Sequence, residues 1–200
     1  MELLQAHRIV HSLKKASEGE LQELIEDHRI ATRNAIEAGF DGVETQGGGG
    51  CLPDQFPQDL ANKKTDYWGG SIEYRARFPL GGIGPDNATM RLIPWSDCIG
   101  MGINDFIPTF IYIVQQLRAL NVGFLDLIEE LIRGNVNADC GRDNNVSFAV
   151  NAWGKQASVM ISGGFNGEFA QKAVDETYKD YKLAIALVAT GRATLICPSV

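Results

Sequence analysis

Between Asp41 and Phe56 the sequence reads DGVETQGGGGCLPDQF, which crowds a carboxylate, an amide and a thiol around four consecutive glycines. The three groups are Glu44, Gln46 and Cys51. An amide donates hydrogen bonds to a carbonyl oxygen, and a thiol with an unperturbed pKa of about 8.5 is a proton donor of modest strength. Gly47 to Gly50, and Gly49 in particular, would leave room beside these groups for a bulky substrate. Further along stand Arg91, Trp95, Glu129, the pair Gly163-Gly164 and the pair Gly191-Arg192. A guanidinium beside bare backbone N–H groups makes an anion site; the plainer role of such glycines is to turn the chain out of a strand. Trp95 has two roles open to it, stacking on an unsaturated substrate or plugging the end of a sheet.

These residues matter only if the fold gathers them. Ser17 with Glu20 forms a capping box, Leu21, Leu24, Ile25, His28, Ala31, Ala35 and Ile36 recur at helical spacing, and Gly39 stops the helix. A strand over Asp41–Gln46 follows, then a loop from Pro53 to Gly70 and a short helix begun by SIEYRARF. After that come a strand ATMRLIP, a helix DFIPTFIYIVQQLRALN and a strand GFLDLIE. A polar stretch from Arg133 to Asn145 leads to the strand ASVMISGGF, the helix NGEFAQKAVDETYKDY and a last strand KLAIALVATGR. Strands alternating with helices predict a parallel sheet with right-handed crossovers. In such sheets ligands sit at the C-terminal strand ends, where the polar residues and glycines named above fall. Strand alternation puts Glu44 on one face with Gln46, and Thr89 and Ile93 on one face with Arg91. A Glu44–Arg91 pair across adjacent strands is expected, either structural or part of a site.

The 200-residue chain is 44% hydrophobic and 22% charged, with a net charge of -7. It is long enough for one domain with a real core. The negative charge argues against nucleic acid or an anionic membrane as partner. No apolar run approaches the ~18 residues of a membrane span, and MELLQAHRIVHSLKKAS lacks the pattern of a secretory signal. Cys51, Cys98, Cys140 and Cys197 show no paired spacing, so neither a zinc site nor a disulfide framework is expected. Free thiols suit a reducing, cytoplasmic setting. His7 and His11 lie four apart, but two ligands without a third do not make a metal site, and no metal is expected. His28, on the apolar stripe, reads as a packing histidine.

The segments AIEAGFDGVE, DQFPQDLANKKTDYWGGSIEYRARF, MRLIPW, GGF and GR, in this order, resemble the old yellow enzyme family of FMN-dependent ene-reductases, its fungal members above all. The resemblance runs from about Glu18 to Pro198. It implies an α/β fold derived from a TIM barrel, with five parallel strands corresponding to strands four to eight. The first three family strands have no counterpart, and the stretch RARFPLGGIGPDNATMRL is shorter than the family's helix there. The expected organisation is one truncated domain over 1–200, with 1–17 as a helical extension. Five strands cannot close an eight-stranded ring, so the chain is expected to pair with a second copy, to cover its edges with the N-terminal helix and loops, or to need a family-member partner chain.

The resemblance also assigns roles. Gln46, Gly49 and Cys51 stand where the family has two donors to the substrate carbonyl and a tyrosine proton donor. Arg91 matches the arginine beside the pyrimidine edge of the flavin. Gly163, Gly164, Gly191 and Arg192 match residues that hold the FMN phosphate. Loss of one donor to a developing oxyanion alone costs about 10²–10³ in rate. Three readings follow. One is a non-redox isomerase or cyclase of fungal secondary metabolism, extending to cycloaddition, which acts on an unsaturated carbonyl compound with Gln46, Arg91, Cys51 and Glu44 as catalytic groups and Gly49, Trp95 and Glu129 against the substrate. The second is an FMN-dependent ene-reductase with altered donors. The third is an inactive partner of a complete family member.

Overall fold

Ser17 opens the first helix by accepting the Glu20 N–H, while the Glu20 carboxylate returns to the Ser17 N–H at 2.7 Å. The computed structural model describes residues 16–83, 88–97, 100–129, 132–133, 136–137, 145–155, 157–189 and 192–196. Helix α1 spans Glu18–Glu37 and buries Leu21, Ile25 and Thr32. That stripe is narrower than the apolar spacing predicts, since Ala31 and Ile36 are exposed. Leu21 and Ile25 pack into a small cluster with Phe56, Trp68 and Phe78, and Ala31 and Ile36 lie outside that cluster.

Strand β1 (Val43–Gly47) leads into the one-turn helix α2 (Leu52–Gln55). The helix predicted from SIEYRARF is split at Ala76 into α3 (Ile72–Arg75) and α4 (Arg77–Gly81). Then come β2 (Ala88–Leu92), α5 (Phe106–Ala119) and β3 (Phe124–Ile128), with a small ribbon of β4 (Ile132–Arg133) and β5 (Val136–Asn137). Helix α6 (Ser147–Trp153), absent from the sequence reading, crosses back to β6 (Ser158–Ser162). Helix α7 (Gly167–Lys172) continues into a π-helical turn over Ala173–Thr177, and β7 (Leu183–Ala189) and β8 (Arg192–Ile196) complete the order.

The main sheet runs β1-β2-β3-β6-β7-β8. The first five strands are parallel, as alternation predicts. The sixth is a correction. KLAIALVATGR is not one strand ending at Gly191-Arg192; the chain reverses after Ala189, and Arg192 pairs with it to begin an antiparallel strand. Arg192 is described in its backbone alone, and Gly191, His7 and His11 lie outside the described residues.

One face of the sheet carries Met90, Leu92, Leu125, Leu127, Val159, Ile161, Leu183 and Ile185, all buried against α5, α6 and α7 with Phe110, Ile113, Val150 and Trp153. The other face carries Glu44, Gln46, Arg91 and Met160, which keep solvent contact, and Asp126, which does not. The partial TIM barrel predicted from the sequence is therefore a half-ring whose inner face is uncovered among the described residues.

A second, smaller core holds the long loop after β1. Phe56 stacks on Phe78 with ring centroids 4.1 Å apart, and Trp68 meets both edge-on. Arg75, buried, donates to the Pro57 carbonyl at 2.8 Å and pairs with Asp105 at 3.0 Å, which ties the loop to the start of α5. The guanidinium of Arg77 lies between Tyr67 and Tyr74, 3.4 Å and 3.9 Å from their ring centres. His28 packs edge-on to Phe78, and its Nδ1 donates to the Leu24 carbonyl at 2.7 Å. A carbonyl only accepts, so that nitrogen carries the proton. The packing role expected for His28 is what the structure shows.

Candidate functional site

The glycine run is required by the backbone. A Cβ on Gly48 would sit 2.2 Å from Ile93 Cγ1, and one on Gly47 would sit 2.8 Å from the Met90 thioether. Gly49 and Gly50 have φ of 68° and 81°, where side chains are strained. The Gly50 N–H is held by Asp54 Oδ2 at 2.9 Å, and Gln58 donates to Oδ1 of the same carboxylate at 2.9 Å. Burial pushes the Asp54 carboxyl above its ordinary range, against these two donors. The space beside Gly47 and Gly48 is thus filled by β2 side chains and is not a cavity freed for substrate. Sequence reading cannot foresee this, because the approach comes from a strand more than forty residues away in the chain.

The room lies elsewhere. A groove of about 400 Å³ runs along the outer side of β1, lined among others by His28, Thr32, Glu44, Gln46 and Cys51. Three residues picked from the sequence therefore share one surface. Cys51 is an exposed free thiol at the N-terminal cap of α2. One N–H of the Gln46 amide donates to the Gly48 carbonyl at 3.2 Å, which leaves its second N–H for a ligand.

At the centre of the open face, β1, β2 and β3 bring Glu44, Arg91 and Asp126 together. The strand register aligns Gln46 with Arg91 and Arg91 with Asp126, and places Glu44 two residues back on the same face as Gln46. Arg91 Nε donates to Asp126 Oδ2 at 2.7 Å, and its NH2 group lies 3.2 Å from Glu44 Oε1. The expected Glu44–Arg91 pair is present. Asp126 was not singled out from the sequence; the signal was a lone carboxylate inside the apolar strand FLDLI, in register with a lone arginine. Thr89 faces the same way, and its hydroxyl donates to the Phe124 carbonyl.

Glu44 lies on an exposed edge strand, yet its side chain retains only 29% of its accessible surface. Burial, then a hydrogen bond and like-charge repulsion from Asp126, push its carboxyl up to about 7 against the pull of Arg91. Arg91 itself is lifted further above its already high value by Asp126 and Glu44, which overcome its own partial burial.

Glu129, Trp95, Gly163 and Gly164 stand near the ends of strands. Glu129 is buried and accepts the Val146 N–H at 3.2 Å, which anchors the start of α6. Trp95 packs on Phe106 and Phe148, with centroids 4.3 Å and 6.2 Å away, in the arrangement of a plug. Gly163 and Gly164 have φ of 103° and 69°, and a Cβ on Gly163 would lie 3.1 Å from the Glu129 nitrogen. Close approach of backbones requires Gly163 whether or not an anion binds. Among the described residues no cluster of His, Cys, Asp and Glu suits a metal ion, and no helix is long and apolar enough to cross a membrane.

A half-ring of parallel strands with polar residues along its inner face defines a piece of a TIM-barrel protein. The family model described as "NADH:flavin oxidoreductase / NADH oxidase family" matches residues 3–200, and the chain belongs to that family. It is 39% identical over 189 residues to chanoclavine-I aldehyde reductase fgaOx3 of Penicillium roqueforti, covering 91% of this chain and 50% of that protein. It is 40% identical over 183 residues to the probable inactive reductase easA of Epichloe festucae var. lolii, covering 83% of this chain and 47% of the relative. Among solved structures, morphinone reductase superposes with a TM-score of 0.72 at 25% identity, over 84% of this chain and 46% of that one. The chain spans about half the length of the curated relatives it matches. These old-yellow-enzyme-like proteins include both reductases and members described as inactive, and FMN is the cofactor of the family.

Proposed function

We propose that the chain is a non-redox isomerase acting on an unsaturated carbonyl compound, with Glu44 as the proton-carrying group. The observation that supports it most is the Glu44–Arg91–Asp126 row on the open face, where a carboxyl that titrates near 7 lies beside a guanidinium. A group half-ionised at neutral pH can both take and return a proton. The ionised Glu44 carboxylate removes a proton from the carbon between a carbonyl and a carbon–carbon double bond. That breaks a C–H bond, forms an O–H bond on Glu44 and leaves a dienolate. Arg91 has three N–H groups beyond those used on Asp126 and Glu44, and Gln46 has one beyond that on Gly48; these donate to the enolate oxygen. Glu44 then returns the proton at the far carbon. No electrons leave the substrate, so no nicotinamide is consumed. Cys51, at the rim of the same groove, is a second proton donor. Cyclisation or cycloaddition would use the same donors to polarise the carbonyl.

The test is proton NMR of a β,γ-unsaturated ketone in D₂O with the purified chain and no NADPH. Migration of the double bond with deuterium uptake is expected, and Glu44→Gln slows it by about 10²-fold or more. Conversion that strictly requires NADPH and bound flavin sinks the proposal.

A second reading is favoured by Arg91 and by the reductase names of several relatives. The described residues fit FMN at the two points they cover: Arg91 has donors to spare for the pyrimidine edge, and the Gly163-Gly164 turn, with φ of 103° and 69°, suits the phosphate. FMN, when bound, would supply hydride acceptance and donation. The open inner face and the unpaired side of β1 also agree with a second copy or a family-member chain supplying the absent strands. Flavin fluorescence titration, with Arg192→Ala as control, tests this reading; saturable quenching lost in the variant supports it.

A further inference from the structure

We infer that Asp126 is a positioning residue that shares one proton with Glu44 across the Arg91 guanidinium, and so sets the acid strength of the group on the open face. The inference deepens the isomerase reading and rests on it for its catalytic meaning, though the proton sharing itself does not.

Asp126 is wholly buried, while Glu44 is not. One oxygen of Asp126 accepts from Arg91 Nε at 2.7 Å; the other, Oδ1, has no hydrogen-bond partner among protein atoms. A buried acceptor left unmatched costs about 1–3 kcal/mol, so a donor for it is expected. The Thr89 hydroxyl beside it is committed to the Phe124 carbonyl, and Arg91 meets this carboxylate through Oδ2 alone, none of its remaining N–H groups being bonded to Oδ1. The other carboxyl held on the same guanidinium is Glu44, and it becomes a donor only when protonated.

Charge leads to the same arrangement. Two carboxylates and one guanidinium sum to one negative charge when all are ionised, and to zero when one proton is held. Two neighbouring carboxylates, one of them wholly buried, do not both ionise readily. The charged groups acting on Glu44 from the neighbouring strands are Arg91 on β2 and Asp126 on β3. Arg91 touches both carboxyls, so it holds them in register and prevents either from swinging away. Asp126 supplies the buried acceptor of the row, and Glu44 lines the groove.

The experiment is carbon-13 NMR titration of the chain labelled at glutamate side-chain carboxyls, with the Glu44 signal assigned by its loss in Glu44→Gln. Wild type should titrate with a midpoint of about 7. Asp126→Asn removes the negative neighbour and leaves Arg91, so the midpoint should fall by more than about one pH unit. Asp126→Glu, which keeps a carboxylate, should recover part of the shift. Where Asp126→Asn does not fold, Asp126→Ser carries the same comparison. A midpoint unmoved in the neutral variants means that burial alone holds the proton, and overturns the inference. The readout involves no turnover. A midpoint lowered in Asp126→Asn, beside a wild-type chain that isomerises nothing, keeps the shared proton and sinks the reaction; a midpoint unmoved in Asp126→Asn, beside an active wild type, does the reverse.

Discussion

The two faces of the sheet are built on opposite terms. On the helix-covered face, Leu125, Leu127, Ile161 and Ile185 are fully buried among aliphatic and aromatic neighbours. On the other face, the same strands put Arg91 and Asp126 in direct contact, with Glu44 beside them and Gln46 further along β1. Alternation of side chains along a strand makes this possible at no cost in chain length. The first face carries the apolar core of the described sheet, and the second can hold charge because that core does not rest on it. The difference teaches that the packing of this sheet is concentrated in its helix-covered layer, which leaves the other layer to polar side chains.

The comparison breaks most easily on the covered face. Phe110→Ala should cost about 3–5 kcal/mol, read as a lowered denaturant midpoint, because the ring is fully buried between α5 and the sheet. If that variant unfolds no more readily than wild type, the covered face is not what sustains the fold. Next in size is Gly48→Ala, whose added methyl collides with Ile93; a loss of about 1–3 kcal/mol is expected. The double variant with Ile93→Ala should be less destabilised than the sum of the two single changes. Additivity would mean that the glycine is needed for some other reason.

The open face should show itself through pH. The Glu44 carboxyl is raised in the folded chain from 4.5 to about 7, so the fold binds this proton more tightly than the unfolded chain does. The stability it contributes is complete below about 4.5 and is lost as pH rises through about 7. Asp54, raised by burial, has the same sign. Unfolding midpoints of wild type and Glu44→Gln, compared from acid to neutral pH, should converge on the acid side and separate on the neutral side, with the variant the flatter of the two. Parallel curves would show that the carboxyl is solvated like any surface glutamate. The smallest effect is expected away from both faces. Arg77→Ala removes a guanidinium held between Tyr67 and Tyr74, and should cost about 0.5–1 kcal/mol in thermal or denaturant melts.

Much of this was legible in the residues, for identifiable reasons. The five parallel strands announced themselves because apolar runs alternated with long amphipathic helices, and the Ser17–Glu20 cap because its chemistry is local. The Glu44–Arg91 pair followed from strand alternation. Helix α6 was missed because seven residues give barely two turns of pattern, and Ala149, Val150 and Trp153 read equally well as a strand or a loop. Strand β8 was missed because RATLI continues an apolar run, and a reversal of direction leaves no mark in hydrophobicity. Asp126 was overlooked because its partners come from two other strands, and register is a property of the assembled sheet.

The direction of β8 has a consequence for any attempt to rebuild an entire ring. A closed barrel of this family needs a parallel neighbour on the far side of β7, the strand that matches its eighth. The chain lays its own tail there, head to tail with β7, from Ala189 opposite Arg192 to Ile185 opposite Ile196. A strand added in parallel beside β7 would first have to displace β8 from that edge.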